Sequence, residues 1–348
     1  MEHGALGMST ALILAPCSYA NSEELSELNK EVSQFDGVFA IHVRSEGQHL
    51  IESIGEAIDI CEKSGVALQI SHMKAFGKAN WHKPPQVLEM IDQAVERGLC
   101  VSGDQYPYVA GITLLSACLP QWVLAGGPEL CIKRLVEQRN EIKEWFLKGV
   151  EVWDNRSISI GWENIIISSV ETDRNRWTVG LSIKEIADYR KVDPVDALCD
   201  LLVDEELAVI HSSVYGCEEN IITYMTYPRT MICTDGIYAK RPHPRLFGTF
   251  PRVLGRYVRE KKLMTLEEAV HKMTGLPAQT FGLPLRGKLL EGYAADVVIF
   301  DPATIIDTAT FEEPCQYPVG INYVVINGKI AVENDCCVET NAGCTITR

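Results

Sequence analysis

Three polar residues stand at the ends of three short apolar runs. His42 follows Val38-Phe-Ala-Ile41, His72 follows Val66-Ala-Leu-Gln-Ile70 by one residue, and Asp235 follows Thr230-Met-Ile-Cys233 by one residue. Taken singly, each has an ordinary explanation. A histidine at a strand end is more often a satisfied, partly buried side chain than a ligand, and Asp-Gly after a strand is usually a turn. Together they describe a different chemistry. Two imidazoles and a carboxylate brought to one place suit a zinc-type ion. Such an ion neutralises the carboxylate and polarises a water and a carbonyl oxygen.

Bringing them together falls to the surrounding elements. Residues 23–33 follow Ser22 with acidic residues in the first turn, as at a helix start. Over 48–63, Leu50, Ile51, Ile54, Ala57, Ile58 and Cys61 recur at helical spacing, and Gly65 stops the run. Pro84 and Pro85 open a helix that Gly98 ends, and Leu99-Cys-Val-Ser102 reads as a strand. Strand, helix and strand repeating about every 30 residues predicts βαβ units and a parallel sheet. Its crossovers share one hand, so the carboxyl ends of the strands share one face, where chemistry sits in barrels of this kind. The chain is less regular over 110–230, with helices predicted at 183–202 and 217–226. A helical stretch is predicted from about Phe250 to Lys272. From Gly287 the pattern turns to β: Val297–Phe300, Tyr323–Ile326 and Lys329–Val332, with Asn327-Gly328 as a hairpin turn.

Composition narrows the function classes. A net charge of −15 argues against a nucleic-acid partner, which would need a basic face. The 348 residues are 46% hydrophobic and 23% charged, ample for one large core or two unequal ones. The 12 cysteines include no C-x-x-C pair, and Cys61, Cys100, Cys199 and Cys233 lie in apolar stretches as small hydrophobes. No signal-like leader and no apolar run near the ~20 residues of a membrane span is visible, so a reducing cytoplasm is expected.

Six further segments carry a resemblance. Gly4-Ala-Leu-Gly-Met-Ser-Thr10, Ile41-His-Val-Arg-Ser-Glu46, Ser71-His-Met-Lys74, Asp104-Gln-Tyr-Pro-Tyr108, Thr234-Asp-Gly236 and His243-Pro-Arg-Leu-Phe-Gly-Thr-Phe-Pro-Arg252 occur in that order. The chain thereby resembles the N-acyl-D-amino-acid deacylase (D-aminoacylase) family of the amidohydrolase superfamily. Gly287-Lys-Leu-Leu-Glu-Gly-Tyr-Ala-Ala-Asp296 is similar to the superfamily's return to its small β domain. The resemblance implies an α/β fold: a metal-dependent (β/α)8 TIM barrel, incomplete here, followed by part of a small β domain. Residues 1–285 would be the C-terminal part of the barrel, with an insertion at about 110–230, and 286–348 the β segment.

It also implies roles. His42 and His72 match metal-ligand histidines, with Asp235 at the metal and acting as general base, then general acid. Lys74, Tyr106 and Arg245 match positions that hold the substrate's carboxylate and amide. A carboxylate substrate needs such donors, and Arg can grip it in a bidentate way. The implied reaction is hydrolysis of N-acyl-D-amino acids to a D-amino acid and a carboxylate, with one or two zinc ions. The implied partner is the small-molecule substrate, with no nucleic acid and no membrane.

Two departures stand out. The family carries a His-x-His pair and a ligand cysteine early in its barrel, whereas the histidines here are His3, His42, His49, His72, His82, His211, His243 and His271. The resemblance therefore implies that about an N-terminal third is missing, with further metal ligands in it, and that the chain alone is insoluble or inactive. The family's Gly after Ser-Thr and its Tyr where Leu14 stands are also replaced. Two other readings stay open: a cyclic-amide hydrolase of the hydantoinase or dihydroorotase kind, and a non-catalytic remnant of the fold.

Overall fold

The computed structural model describes residues 1–148, 154–334, 336–338 and 341–347. Its first half is built as the apolar periodicity predicts. Strands β1 (Gly7–Ala11), β2 (Val38–His42), β3 (Ala67–Ile70) and β4 (Val101–Gln105) alternate with helices α1 (Ser22–Ser33), α2 (Leu50–Ser64) and α3 (Pro84–Glu96). After a long excursion, β8 (Thr230–Ile232) completes a parallel sheet of order β1-β2-β3-β4-β8. Helix starts and stops have local causes. The Asn21 side chain accepts from the Glu24 amide at the head of α1, and Gly65, at φ 72°, ends α2 in the left-handed conformation.

The helices pack on this sheet through the apolar faces read from the sequence. Leu25 and Val32 of α1, Ile54, Ala57 and Cys61 of α2, and Val87, Ile91 and Ala94 of α3 are buried with Phe39, Ile41, Leu68 and Ile70. Each large aliphatic side chain so buried contributes roughly 1.5–3 kcal/mol relative to exposure. β1 is only half-buried. Among the described residues it pairs on one side only, with β2. The sheet is thus open, with β1 and β8 as its edges.

The stretch between β4 and β8, unassigned to strands from sequence, holds a second, antiparallel sheet. β5 (Ala110–Leu114), β6 (Ile165–Ser169) and β7 (Ile210–Val214) lie in the order β5-β7-β6. The helix predicted over 183–202 is two helices, Ile183–Arg190 and Pro194–Asp204, because Lys191 turns left-handed at φ 57° and Pro194 opens a new helix capped by Asp193. The helical stretch predicted after Phe250 begins earlier, at Arg245, and runs on as a π-helix over Val253–Glu260. It breaks before Leu266–Met273, which Thr265 caps with Glu268 in a capping box. At the C-terminal end, β9 (Val297–Phe300), β10 (Ile321–Ile326), β11 (Lys329–Glu333) and β12 (Cys336–Cys337) form an antiparallel sheet. Asn327 and Gly328 make the predicted turn with φ of 49° and 80°. No helix among the described residues is long and apolar enough to cross a membrane.

Central strand β7 carries a buried titratable group, His211, whose Nε2 lies 2.9 Å from Ser213 Oγ. Burial, assisted by the nearby Arg156 charge, pushes its imidazole down to about 3. Between that value and the ordinary ~6.5, the unfolded chain takes up a proton that the folded chain refuses. Stability is therefore unaffected above pH ~6.5 and falls as the pH drops through this window, by up to a few kcal/mol. Urea unfolding at pH 7.5 and pH 4.5 checks this. His211→Asn should show a smaller acid loss than the parent, and equal losses would refute the assignment.

Candidate active site

The carboxyl ends of the parallel strands supply the site. His42 is the last residue of β2, His72 follows β3 by one residue, Tyr106 follows β4 directly, and Asp235 lies just beyond β8. Two of these turns are strained: His72 has φ 38° and Asp235 φ 44°, in the left-handed region that suits glycine. Asp104 holds the first of them. Its side chain accepts from the His72 amide at 2.6 Å, its carbonyl from the Met73 amide at 2.8 Å, and Gln69 donates to its other carboxylate oxygen.

His42 and His72 meet edge to face with ring centroids 4.3 Å apart. A third residue, Glu46, joins them: its Oε1 lies 3.3 Å from His42 Nε2 and 3.2 Å from His72 Nδ1. Lys74 Nζ sits 2.5 Å from the same oxygen and 2.7 Å from His72 Nδ1. Burial would raise the Glu46 carboxyl, but Lys74 and the two imidazoles outweigh it and hold the group well below the usual carboxylate range. Burial would lower the Lys74 ammonium, and Glu46 more than reverses this. His42 goes the other way, with burial holding its imidazole well below its ordinary value and hence neutral, as a ligand must be.

The chemistry of this donor set fits a divalent metal ion. One ligand atom each from His42, Glu46 and His72 lies within 4.8 Å of the others. His42 Nε2 is buried and, despite its proximity to Glu46, makes no hydrogen bond. An orphaned imidazole nitrogen beside a carboxylate is what a ligand awaiting a cation looks like. Lys74 already occupies two of the three groups, so an ion there shares the carboxylate with the ammonium or displaces it.

Across the cavity, Asp235 Oδ2 pairs with Arg245 Nη2 at 2.9 Å. Arg245 is fully buried, with its guanidinium carbon 4.3 Å from the Tyr106 ring centroid. Its backbone amide donates to His243 Nδ1, whose Nε2 donates to the Ala110 carbonyl, so His243 is a neutral strut. Tyr215 donates its hydroxyl to Tyr106 Oη at 2.7 Å, leaving the Tyr106 proton to point elsewhere. Burial pushes the Tyr106 phenol up, so it stays protonated. All six residues singled out from sequence, His42, His72, Lys74, Tyr106, Asp235 and Arg245, line one cavity of about 180 Å³ with Glu46 and Arg156.

Solved proteins share this framework. Residues 233–332 match the amidohydrolase family. D-aminoacylase of Alcaligenes xylosoxydans xylosoxydans is 33% identical over 349 residues, which is 100% of this chain and 62% of that protein. The chain is thus similar to amidohydrolases, through the family match over residues 233–332 and through this relative along its whole length. A D-aminoacylase structure, described by a binuclear metal centre with one-metal activation and second-metal attenuation, superposes with a TM-score of 0.81 at 33% identity. It covers 100% of this chain and 64% of that one. N-acyl-D-glutamate deacylase from Bordetella bronchiseptica, solved with zinc and a phosphonate mimic of the tetrahedral intermediate, superposes with a TM-score of 0.79 at 32% identity. That match covers 95% of this chain and 60% of the deacylase. The chain thus spans about three-fifths of the length of these relatives.

Three residues of the site were not singled out from sequence. Glu46 stood in the quoted Ile41–Glu46 segment, and its position four residues after His42 was the available signal. Asp154 and Arg156 lie in the irregular excursion and carried no signal. Asp154 is buried and accepts from Ser45 Oγ at 2.9 Å and from the amides of Glu46, Gly47 and Gln48 at 2.9, 3.1 and 3.1 Å. It therefore shapes the turn that aims Glu46.

Proposed function

We propose that this chain carries the catalytic face of a zinc-dependent deacylase that hydrolyses N-acyl-D-amino acids to a D-amino acid and a carboxylate. The observation that carries the reading is one small cavity walled by an imidazole–imidazole–carboxylate set on one side and an Asp–Arg pair on the other. His42, His72 and Glu46 are the residues that would hold the ion, with Asp235 facing them from the end of β8. A zinc ion there would supply Lewis-acid polarisation of the amide carbonyl and a more acidic water. The kinship with a zinc-containing D-glutamate deacylase supports that choice of metal.

The chain's own groups then have defined tasks. Arg245, buried and held over Tyr106, receives the substrate's α-carboxylate, with Lys74 nearby. Asp235 Oδ2 is committed to Arg245, so Oδ1 takes the proton from the attacking water and returns it to the departing amine. The Tyr106 hydroxyl, kept protonated by burial, donates to the oxyanion. We also place the division between barrel and β segment at 285/286, where the chain leaves its last helices for β9–β12.

The test is amine release by the zinc-loaded protein from N-acetyl-D-amino acids, their L-enantiomers and hydantoin. Hydrolysis of the D-amides, abolished by chelation and restored by zinc, is expected. Turnover of hydantoin with inert D-amides would favour the cyclic-amide reading and overturn this one.

A further inference from the structure

Three permanent cations line the cavity: Lys74, Arg156 and Arg245. Two of them are matched within the protein, Lys74 by Glu46 at 2.5 Å and Arg245 by Asp235 at 2.9 Å. Arg156 is not. It is only 6% exposed, and among the described residues its guanidinium has no carboxylate partner; the Phe76 ring lies 4.8 Å from the guanidinium carbon to the centroid. Asp154, two residues away, is no partner, because its carboxylate is spent on the 45–48 turn.

A guanidinium lining the cavity without a carboxylate beside it favours an anion there. A cation–π contact contributes about 0.5–2 kcal/mol, and a charge-assisted hydrogen bond to a carboxylate in the cavity would add about 1.5–3 kcal/mol. Arg245 is open as well: its Nε and Nη2 are buried without a hydrogen bond, although Nη2 lies near Asp235. Two guanidinium groups with unspent donors therefore face one small cavity. One carboxylate answers only one of them.

We propose that Arg156 receives the side-chain carboxylate of a dicarboxylic substrate, so that the substrate class is N-acyl-D-glutamate or N-acyl-D-aspartate. This rests on the deacylase reading, with Arg245 taking the α-carboxylate. A neutral side chain would leave the Arg156 charge buried and unanswered in the complex. Overall similarity does not choose, since the D-aminoacylase and the D-glutamate deacylase match at 33% and 32% identity.

The experiment compares N-acetyl-D-glutamate with its neutral isostere N-acetyl-D-glutamine. Kd is measured by calorimetry in the zinc-loaded Asp235→Asn protein, which binds without turnover, and kcat/KM in the parent. A charge-assisted hydrogen bond to a buried guanidinium predicts a preference for glutamate of roughly 10- to 100-fold. Arg156→Met should erase the preference while changing glutamine binding less than about threefold, and Arg156→Lys should keep part of it. Equal binding of the two amides by the parent overturns the proposal without a variant. So does an Arg156→Met protein that loses both amides alike, which would place Arg156 on the α-carboxylate or in the scaffold. Binding of neither amide, with no D-amide hydrolysed, is a separate result and refutes the deacylase reading itself.

Discussion

Glu46→Gln is expected to cost the protein both its metal site and much of its stability. Glu46 Oε1 is the common neighbour of His42 Nε2, His72 Nδ1 and Lys74 Nζ, all within 3.3 Å. The amide keeps the shape and removes the charge. Without metal, Lys74 becomes a buried ammonium with no carboxylate beside it. Breaking a buried pair from one side costs about 3–5 kcal/mol. With metal, losing an anionic ligand should lower zinc affinity at least about 100-fold, the upper end of what outer-shell changes already cause. Urea unfolding of the metal-free protein and zinc calorimetry measure the two effects separately. The double variant Glu46→Gln/Lys74→Met should recover most of the lost stability, because it removes both buried charges, yet recover none of the zinc affinity. A single variant within about 1 kcal/mol of the parent would show that the Glu46–Lys74 pair does not hold the site together.

Asp235→Asn carries the second large effect, and it falls on turnover. General acid–base catalysis by a positioned carboxylate contributes about 10²- to 10⁴-fold, so kcat should fall by that range. Binding should move the other way. The amide no longer neutralises the buried Arg245, whose charge is then free for the substrate's α-carboxylate. KM for N-acetyl-D-amino acids should stay level or fall, and zinc content should remain that of the parent. A merely structural aspartate would instead raise KM, lower stability and leave kcat per folded molecule unchanged. Steady-state kinetics with metal analysis distinguishes the two.

The same residues show where sequence reading has force. The βαβ half of the chain was legible because burial on a parallel sheet writes short apolar runs and 3.6-residue stripes into the sequence. Ile54, Ala57 and Cys61 predicted a helix face and are buried on one. The hairpin at Asn327-Gly328 was legible because few residues accept two successive positive φ angles. The antiparallel sheet within 110–230 was not. Ile165-Ile-Ile167 pairs with a strand some 45 residues away, and no local pattern encodes that partner.

By itself, the sequence determined the strand ends that carry His42, His72, Tyr106 and Asp235, because chain direction in a parallel sheet sends every carboxyl end to one face. It also carried the family likeness through its motif order. Only the tertiary structure decided that Glu46 stands between the two histidines, that Lys74 competes for it, and that Asp154 shapes the turn beneath it. It alone showed that Arg156, from a distant and irregular segment, reaches the same cavity, with no carboxylate partner among the described residues. Electrostatic partnership depends on distances of a few ångströms between residues up to two hundred positions apart. Residue order does not set those distances; the packing of the excursion against the parallel sheet does.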